Sequence, residues 1–333
     1  MKKLCLVLYI FGDKYQEYIP LFAWSLFKLY PDYGIRVYLD TKLNQHIKNQ
    51  VEILKDKDLT IIENHLDNLE MTDKAKKVDL IQRSQRWLFY DEAFENYEAV
   101  YMGDADIIFC PEKEKMFEAH IKHCEIIGKP YSNIARKPIV RKNYSPKVIA
   151  RNFIKFGIKD SFKYYFGHTK PIRKLTGLHF VRTKEYYSAV RPVMREYVKE
   201  LNKLAEHKSK KYNLCSFNDE AVLYDMVNDC GFGTPEVIGS GLSGLYNICE
   251  SGEKMEYRPH HGIHLGIFRN EKTPFKEWNV VTSDLYRGYY EYFKELEKTG
   301  QYKSFEKGFS PYMRNIIDNM NKFYLNHPQE NMK

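Results

Sequence analysis

The residues best suited to chemistry are two aspartates, Asp104 and Asp106, at the end of the apolar run Ala99-Val100-Tyr101-Met102-Gly103. Carboxylates two residues apart at a strand terminus can converge on one hard divalent cation. Mg²⁺ or Mn²⁺ held by oxygen ligands keeps positions for substrate phosphates. Such a cation would bridge a diphosphate and offset charge on a leaving phosphate. Read otherwise, the pair is an acidic turn between strands. Further along, His260, His261 and His264 fall within five residues, interleaved with Gly262 and Gly266 and followed by Arg269. An imidazole is a suitable third ligand beside two carboxylates, and His264 is preferred to His261. The alternative is a set of surface or core histidines. Arg269 can fork onto a phosphate, and Gly266 lets the backbone approach a ligand closely. Asp219 and Glu220 follow Asn218 at a predicted helix start. The pair either favours the helix dipole or places a carboxylate where it takes a proton from an acceptor hydroxyl.

These groups need a scaffold that brings them together. Leu4 to Phe11 is a continuous apolar run, as expected of a strand buried on both faces. A helical period follows over 14–30, then strands over Gly34–Leu39, Leu59–Ile62 and Ala99–Met102, with a long helix predicted from Thr72 to Phe94. Asp40 reads first as a helix N-cap. Strands separated by helices imply an α/β fold with a mostly parallel sheet flanked by helices. Ligands of such sheets bind at the carboxyl ends of the strands. A strand at 177–181, helices over 183–206 and 219–228, a Gly-rich loop over 231–244 and two amphipathic tail helices near 284–298 and 310–325 complete the reading.

The chain has 333 residues, 43% of them hydrophobic, and a net charge of +8. That excludes a disordered polyelectrolyte and a membrane bundle. Much of the charge lies in one place: Arg136 to Lys174 holds twelve Lys or Arg against one acid, Asp160. A broad basic face is missing, which disfavours nucleic acid as the partner. The six cysteines form no C-x-x-C pair, so a reducing, cytoplasmic setting is expected. The eight-residue apolar N-terminal run is too short for a signal peptide with its cleavage site.

Arg83-Ser84-Gln85-Arg86-Trp87-Leu88, followed by Tyr97 through Phe109, resembles the nucleotide-sugar-binding core of GT-A-fold glycosyltransferases. The similarity is greatest to family 8, the glycogenin and bacterial lipopolysaccharide galactosyl- and glucosyltransferase group. Thr176-Gly177-Leu178-His179-Phe180-Val181 resembles that family's F-N-A-G-V strand, Asn218-Asp219-Glu220 its D-Q-D helix start, and His261 through Arg269 its late H-x-x-G-x-x-K segment. The resemblance implies a Rossmann-like GT-A domain that moves a hexose from a UDP-sugar, with Mn²⁺ or Mg²⁺ held by Asp104, Asp106 and His264. It places Arg86, Gly177, Gly266 and Arg269 against the nucleotide, with Asp13 or Tyr15 at the base and Asp40 as a second choice at the ribose. Asp219 and Glu220 stand near the reacting carbon, where the family carries Gln, so retaining and inverting chemistry both stay open. The implied acceptor is a glycan or glycolipid of surface polysaccharide or lipopolysaccharide synthesis. A sugar nucleotidyltransferase is the rival enzyme, and a non-catalytic basic binding protein the rival of another class.

On this reading the chain divides into a nucleotide-sugar half over 1–128, a basic aromatic insertion or lid over 129–175, an acceptor half over 176–280 and a helical extension over 281–333. Residues 136–174 are a solvated loop, a lid or contact to an anionic membrane surface, or a nucleic-acid groove. Lysines and arginines interleave there with Phe153, Phe156, Phe162, Tyr164, Tyr165 and Phe166. A peripheral position on the inner face of a membrane would follow from the second.

Overall fold

The computed structural model describes residues 1–65, 70–139, 145–166, 171–234, 238–239, 246–248, 254–256 and 261–328. Cys249, His260 and much of the Gly-rich 231–244 stretch lie outside them. The strands are β1 (Lys2–Ile10), β2 (Gly34–Leu39), β3 (Leu59–Ile62), β4 (Tyr97–Gly103), β5 (Ile107–Phe109), β6 (Tyr131–Ser132), β7 (Ala135–Ile139), β8 (Ile172–Leu175), β9 (His179–Arg182), β10 (Ile238–Gly239), β11 (Tyr246–Ile248), β12 (Lys254–Glu256) and β13 (Gly262–His264). The main sheet has the order β3-β2-β1-β4-β9-β6. β1 to β4 are mutually parallel, as the alternation of strands and helices predicts, whereas β9 runs antiparallel to β4 and β6. The fold is thus α/β with a mostly parallel sheet.

Period-two alternation explains why the sheet is buried on both faces. On β1, Leu4, Leu6, Leu8 and Ile10 enter one core with helix Ile19–Leu29 and the tail helices. Cys5 and Val7 enter the other, with Ile81, Trp87 and the helices Thr183–Ala205 and Asp219–Asp229. Asn218 caps the latter helix, its side chain accepting the Glu220 N–H at 2.9 Å.

Several expectations need correction. The helix expected over 72–94 is broken into Asp73–Lys76, Asp79–Ser84 and the 3-10 turns Gln85–Trp87 and Glu92–Asn96. Thr72 caps its start as expected, but Val78 is extended at φ −103, ψ 103 and Asp91 accepts the Ala93 N–H, so the helix stops and restarts inside the segment. Asp40 caps no helix; both its carboxylate oxygens accept the Gly12 N–H at 3.1 Å, and the next helix, Gln45–Val51, begins after Asn44. The predicted strand at 177–181 is β9, shifted to His179–Arg182. Two further sheets, β12-β11-β10-β7-β8 and β13-β5, and the tail helix Gly300–Lys307 escaped the sequence reading.

The insertion contributes β6 to the main sheet and β7 and β8 to the second one. Its helical segment Pro146–Phe166 is two helices merged across a kink at Gly157, where φ is 80 and ψ 165. Among the described residues no helix is long and apolar enough to cross a membrane. Cys5, Cys110, Cys124, Cys215 and Cys230 are free thiols.

A buried polar network lies beside β13. The Nδ1 atoms of His120 and His123 both stand 2.7 Å from Ser132 Oγ. His120 Nε2 lies 2.8 Å from His261 Nε2, and His261 Nδ1 lies 2.5 Å from Glu112 Oε2. Burial lowers His123 and His65 from 6.5 to about 4 and His179 to about 3. These imidazoles fold neutral, while in the unfolded chain they take up protons below about 6.5. Unfolding therefore binds protons only as the pH drops below that value. Stability should hold above pH 6.5 and fall progressively towards pH 4. A melting series in matched ionic strength should show the midpoint dropping by about 5 °C or more across that window. A flat series would show that these histidines are not buried as described.

Candidate functional site

β4 delivers the chemistry. It leaves the main sheet at Gly103, and Asp104 and Asp106 follow before β5 begins. β13 returns from far along the chain and pairs antiparallel with β5, His264 opposite Ile107 and Gly262 opposite Phe109. The Leu265 N–H also donates to the Asp106 carbonyl at 2.7 Å. This pairing is why residues about 160 positions apart share a site: His264 Nε2 comes to 3.1 Å from Asp106 Oδ1. One ligand atom each from Asp104, Asp106 and His264 lie within 4.8 Å of one another.

The donor set suits a divalent cation: two hard carboxylates and one imidazole. Gly266 supplies a second indication. A Cβ there would press on the Asp106 carboxylate and stand 3.0 Å from His264 Nε2 and 3.3 Å from an Arg269 nitrogen. The space facing these ligands thus persists only because residue 266 lacks a side chain. His261 is excluded from the group. Its backbone turns at φ +50, and its ring joins His120 and Glu112 in the core.

Positive charge balances the aspartates. Arg86 reaches Asp104 Oδ1 at 3.2 Å with one nitrogen and Asp219 Oδ2 at 2.7 Å with another, while its guanidinium centre sits 4.2 Å from the centre of the Trp87 ring. Gly177 gives it room, since a Cβ there would fall 2.9 Å from an Arg86 nitrogen. Arg269 pairs with Asp106 and donates from Nε to the Tyr18 hydroxyl at 3.1 Å. That hydroxyl lies 2.9 Å from the hydroxyl of Tyr312 on the last helix, Pro311–Asn326. Glu220 is held by Arg136 at 3.2 Å and Lys174 at 3.1 Å, one from each of the paired strands β7 and β8.

The environment sets the protonation states. Burial pushes the Asp104 carboxyl above its usual range; Arg86 opposes this and Asp106 adds to it. Asp106 is more deeply buried than the half-buried Asp104, but its imidazole and guanidinium neighbours outweigh burial and hold it down at about 2. For His264 burial favours the neutral form and is outweighed by Asp106, so its pKa is raised.

Above these groups opens a cleft of about 690 Å³, within the size range of small-molecule sites. Tyr9, Phe11, Gly12, Tyr15 and Asp40 line it together with Gly177, Asp219, Glu220, Asp104 and His264. Tyr9 is fixed by a 2.9 Å bond to Gln85. Gly12, at φ +70, turns the chain so that the exposed Asp13 opens a short helix. Of the two residues expected at the base, Tyr15 lines the cleft and Asp13 does not, and Asp40 lines it as well. The structure brings together Arg86, Asp104, Asp106, Gly177, Asp219, Glu220, His264, Gly266 and Arg269. Sequence reasoning missed Tyr18, Arg136 and Lys174. The two basic residues were visible only as the ends of a charged stretch, and Tyr18 only as one apolar position of a helix.

No family model matches the chain, and no curated protein does. Among solved structures, the mannosyltransferase Ktr4p from S. cerevisiae in complex with GDP is 11% identical with a TM-score of 0.45, over 76% of this chain and 74% of that one. The core-mannan synthase A from Aspergillus fumigatus in its Mn/GDP form is 13% identical, with a TM-score of 0.42 over 78% of this chain and 79% of that one. The galactosyltransferase LgtC with donor and acceptor sugar analogues is 11% identical, with a TM-score of 0.33 over 68% and 70%. Likenesses this distant carry no argument about activity, which rests on the geometry above.

Removing the Arg86 guanidinium strands two carboxylates that share it. Breaking a buried pair costs several kcal/mol, less where a partner reaches solvent as Asp104 does with 38% of its side chain exposed. Arg86→Ala should lower the unfolding free energy by about 2 kcal/mol in urea titrations at pH 7. Arg86→Lys, a point charge without the planar fork, should recover under half of that. Full recovery by lysine would show that the bridging geometry does not matter.

Proposed function

We propose that the protein is a metal-dependent glycosyltransferase that moves a hexose from a nucleoside-diphosphate sugar, UDP-linked in the first instance, to a glycan or glycolipid hydroxyl. The observation that carries this reading is the convergence of Asp104, Asp106 and His264 beside the cleft at the carboxyl end of a parallel strand, the place where such sheets bind ligands. Those three residues would hold Mn²⁺ or Mg²⁺. Bound there, the cation would neutralise charge on a departing diphosphate.

The other residues have separate tasks. The wall of Tyr9, Phe11 and Tyr15 offers aromatic surface to a base, and Asp40 offers a carboxylate to a sugar hydroxyl. Arg86 keeps Asp104 and Asp219 at fixed separation. Arg269, tied to Asp106 and Tyr18, is the guanidinium from which a phosphate oxygen would take hydrogen bonds. Asp219 lines the cleft with 14% of its side chain exposed, so its carboxylate is available to a sugar ring or to an incoming hydroxyl. An inverting reaction would have it accept the hydroxyl proton. A retaining one would use its charge on the opposite face of the ring. Glu220 is occupied by Arg136 and Lys174, which makes it a positioning group for the insertion strands rather than the base.

The test is thermal melting with UDP and with GDP, each with and without Mn²⁺. A ligand that binds only the folded chain raises the midpoint by mass action, by about 5 °C near saturation for a domain this large. The expected result is a rise with a nucleoside diphosphate that requires Mn²⁺ and vanishes in Asp104→Ala/Asp106→Ala. No rise with any nucleoside diphosphate would overturn the reading. A rise unaffected by the metal or by the double variant would remove the cation from it.

A further inference from the structure

The helical segment 146–166 turns part of its apolar surface to solvent. Its one acid and its buried amide and hydroxyl face the protein: Asn152 is 9% exposed, Asp160 6% and Ser161 0%. They are bonded there. Asn152 donates to the Tyr165 hydroxyl at 2.7 Å, Ser161 donates to the Asn152 carbonyl at 3.0 Å, and Asp160 receives Asn213 at 3.3 Å and lies 2.5 Å from His207 Nδ1. Four of its large apolar residues face outward, Ile154 at 87% exposed, Ile158 74%, Phe162 58% and Phe166 69%, while Tyr164 is buried and Phe156 packs against the core. These four account for nearly half of the large apolar side chains that are exposed among the described residues. An apolar side chain left in water forfeits the gain that burial would bring, and a contiguous group of them marks a surface used for contact.

The apolar positions repeat every four residues, and so do the basic ones. Lys147, Arg151, Lys155, Lys159 and Lys163 are all exposed, and the only acid of the segment, Asp160, is turned inward. Residues four apart stack on one side of a helix, so after the kink at Gly157 an apolar row of Ile158, Phe162 and Phe166 runs beside Lys159 and Lys163, while the helical piece before it exposes Ile154 with Lys147, Arg151 and Lys155. Phe162 and Phe166 already touch, with ring centroids 4.8 Å apart. The exposed charge is of one sign, which argues against a second copy of the same face and for a partner that is both anionic and apolar just beneath its surface.

We propose that the outward face of residues 146–166 docks on an anionic phospholipid bilayer, with Ile154, Ile158, Phe162 and Phe166 entering the interface and the five cations meeting lipid phosphates. This is the chemistry of an interfacial amphipathic helix, in which apolar area and basic charge act together. Each cation brought to an anionic surface strengthens binding about five-fold at low salt, and salt weakens it. The proposal does not depend on the catalytic reading, because no residue of the cleft takes part. The surface nonetheless bears on the cleft, since the same insertion begins and ends on the strands that hold Glu220 through Arg136 and Lys174.

The test is co-sedimentation of the full chain, without nucleotide, with phosphatidylcholine vesicles and with vesicles in which about 30% of the lipid is phosphatidylglycerol. The wild type should partition at least ten-fold better into the anionic vesicles, and raised salt should reverse this. Ile158→Ser/Phe162→Ser/Phe166→Ser should lose at least ten-fold of that partitioning. Lys147→Gln/Arg151→Gln/Lys155→Gln/Lys163→Gln should lose the preference for anionic lipid. Far-UV circular dichroism and the melting midpoint check that both variants fold, which their exposed positions favour. The proposal is overturned if the wild type stays in the supernatant with anionic vesicles, or if the serine variant sediments as the wild type does. It is also overturned if the face proves to join two copies, seen as a dimer in sedimentation velocity that the serine substitutions dissolve while vesicle binding is absent. Nucleotide-induced melting shifts, measured on the same samples, report on the cleft independently.

Discussion

One guanidinium ties the cleft together. Arg86 comes from a 3-10 turn, Asp104 from the end of a parallel strand and Asp219 from the first turn of a helix more than a hundred residues later. A single planar fork with several donors can satisfy two carboxylates at once, which an ammonium on a flexible stem cannot do with the same geometry. Around it, charge is balanced locally. His264 and Arg269 attend Asp106, and Arg136 and Lys174 attend Glu220. Buried or half-buried charges are tolerable only when paired in this way. The two glycines, Gly177 and Gly266, are the complement of that crowding. Each leaves unfilled the volume that an arginine, an imidazole or a carboxylate needs.

The legible parts of the fold were those determined locally. Alternating strands and helices in the first hundred residues follow from hydrophobic period and capping chemistry, and β1, β2 and β3 lie where the period places them. Asp104 and Asp106 were legible because a buried strand that stops at two acids has few places to put them. The 72–94 segment misled because its apolar spacing suits a helix while Val78 and Asp91 end and restart it. The choice between His261 and His264 was settled by long-range partners: the His261 ring is held in the core by His120 and Glu112, and the pairing of β13 with β5 leaves His264 beside Asp106.

What stayed hidden was long-range. Arg136 and Lys174 reach Glu220 across 84 and 46 positions, and neither the charge count nor the period of the stretch between them records that contact. The antiparallel pairing of β13 with β5 is equally remote, yet it is what makes a metal-ligating set out of residues that are separately unremarkable. Three residues make β13, too few for a period to announce it, and its pairing is defined by the partner strand.

The C-terminal helix has a consequence for how the protein comes apart. Pro311–Asn326 packs on the turn Leu265–Phe268, donates from Asn319 to the Phe268 carbonyl at 3.1 Å, and meets Tyr18 through Tyr312. The turn it supports lies between His264 and Arg269. Tail and ligand-bearing turn are therefore tied by packing, and elements tied in this way tend to open together. Amide exchange around residues 265–268 would track the opening of a helix some fifty residues away in sequence, and a proteolytic clip that frees the tail would loosen the ligand geometry together with the face of the parallel sheet that shares its core.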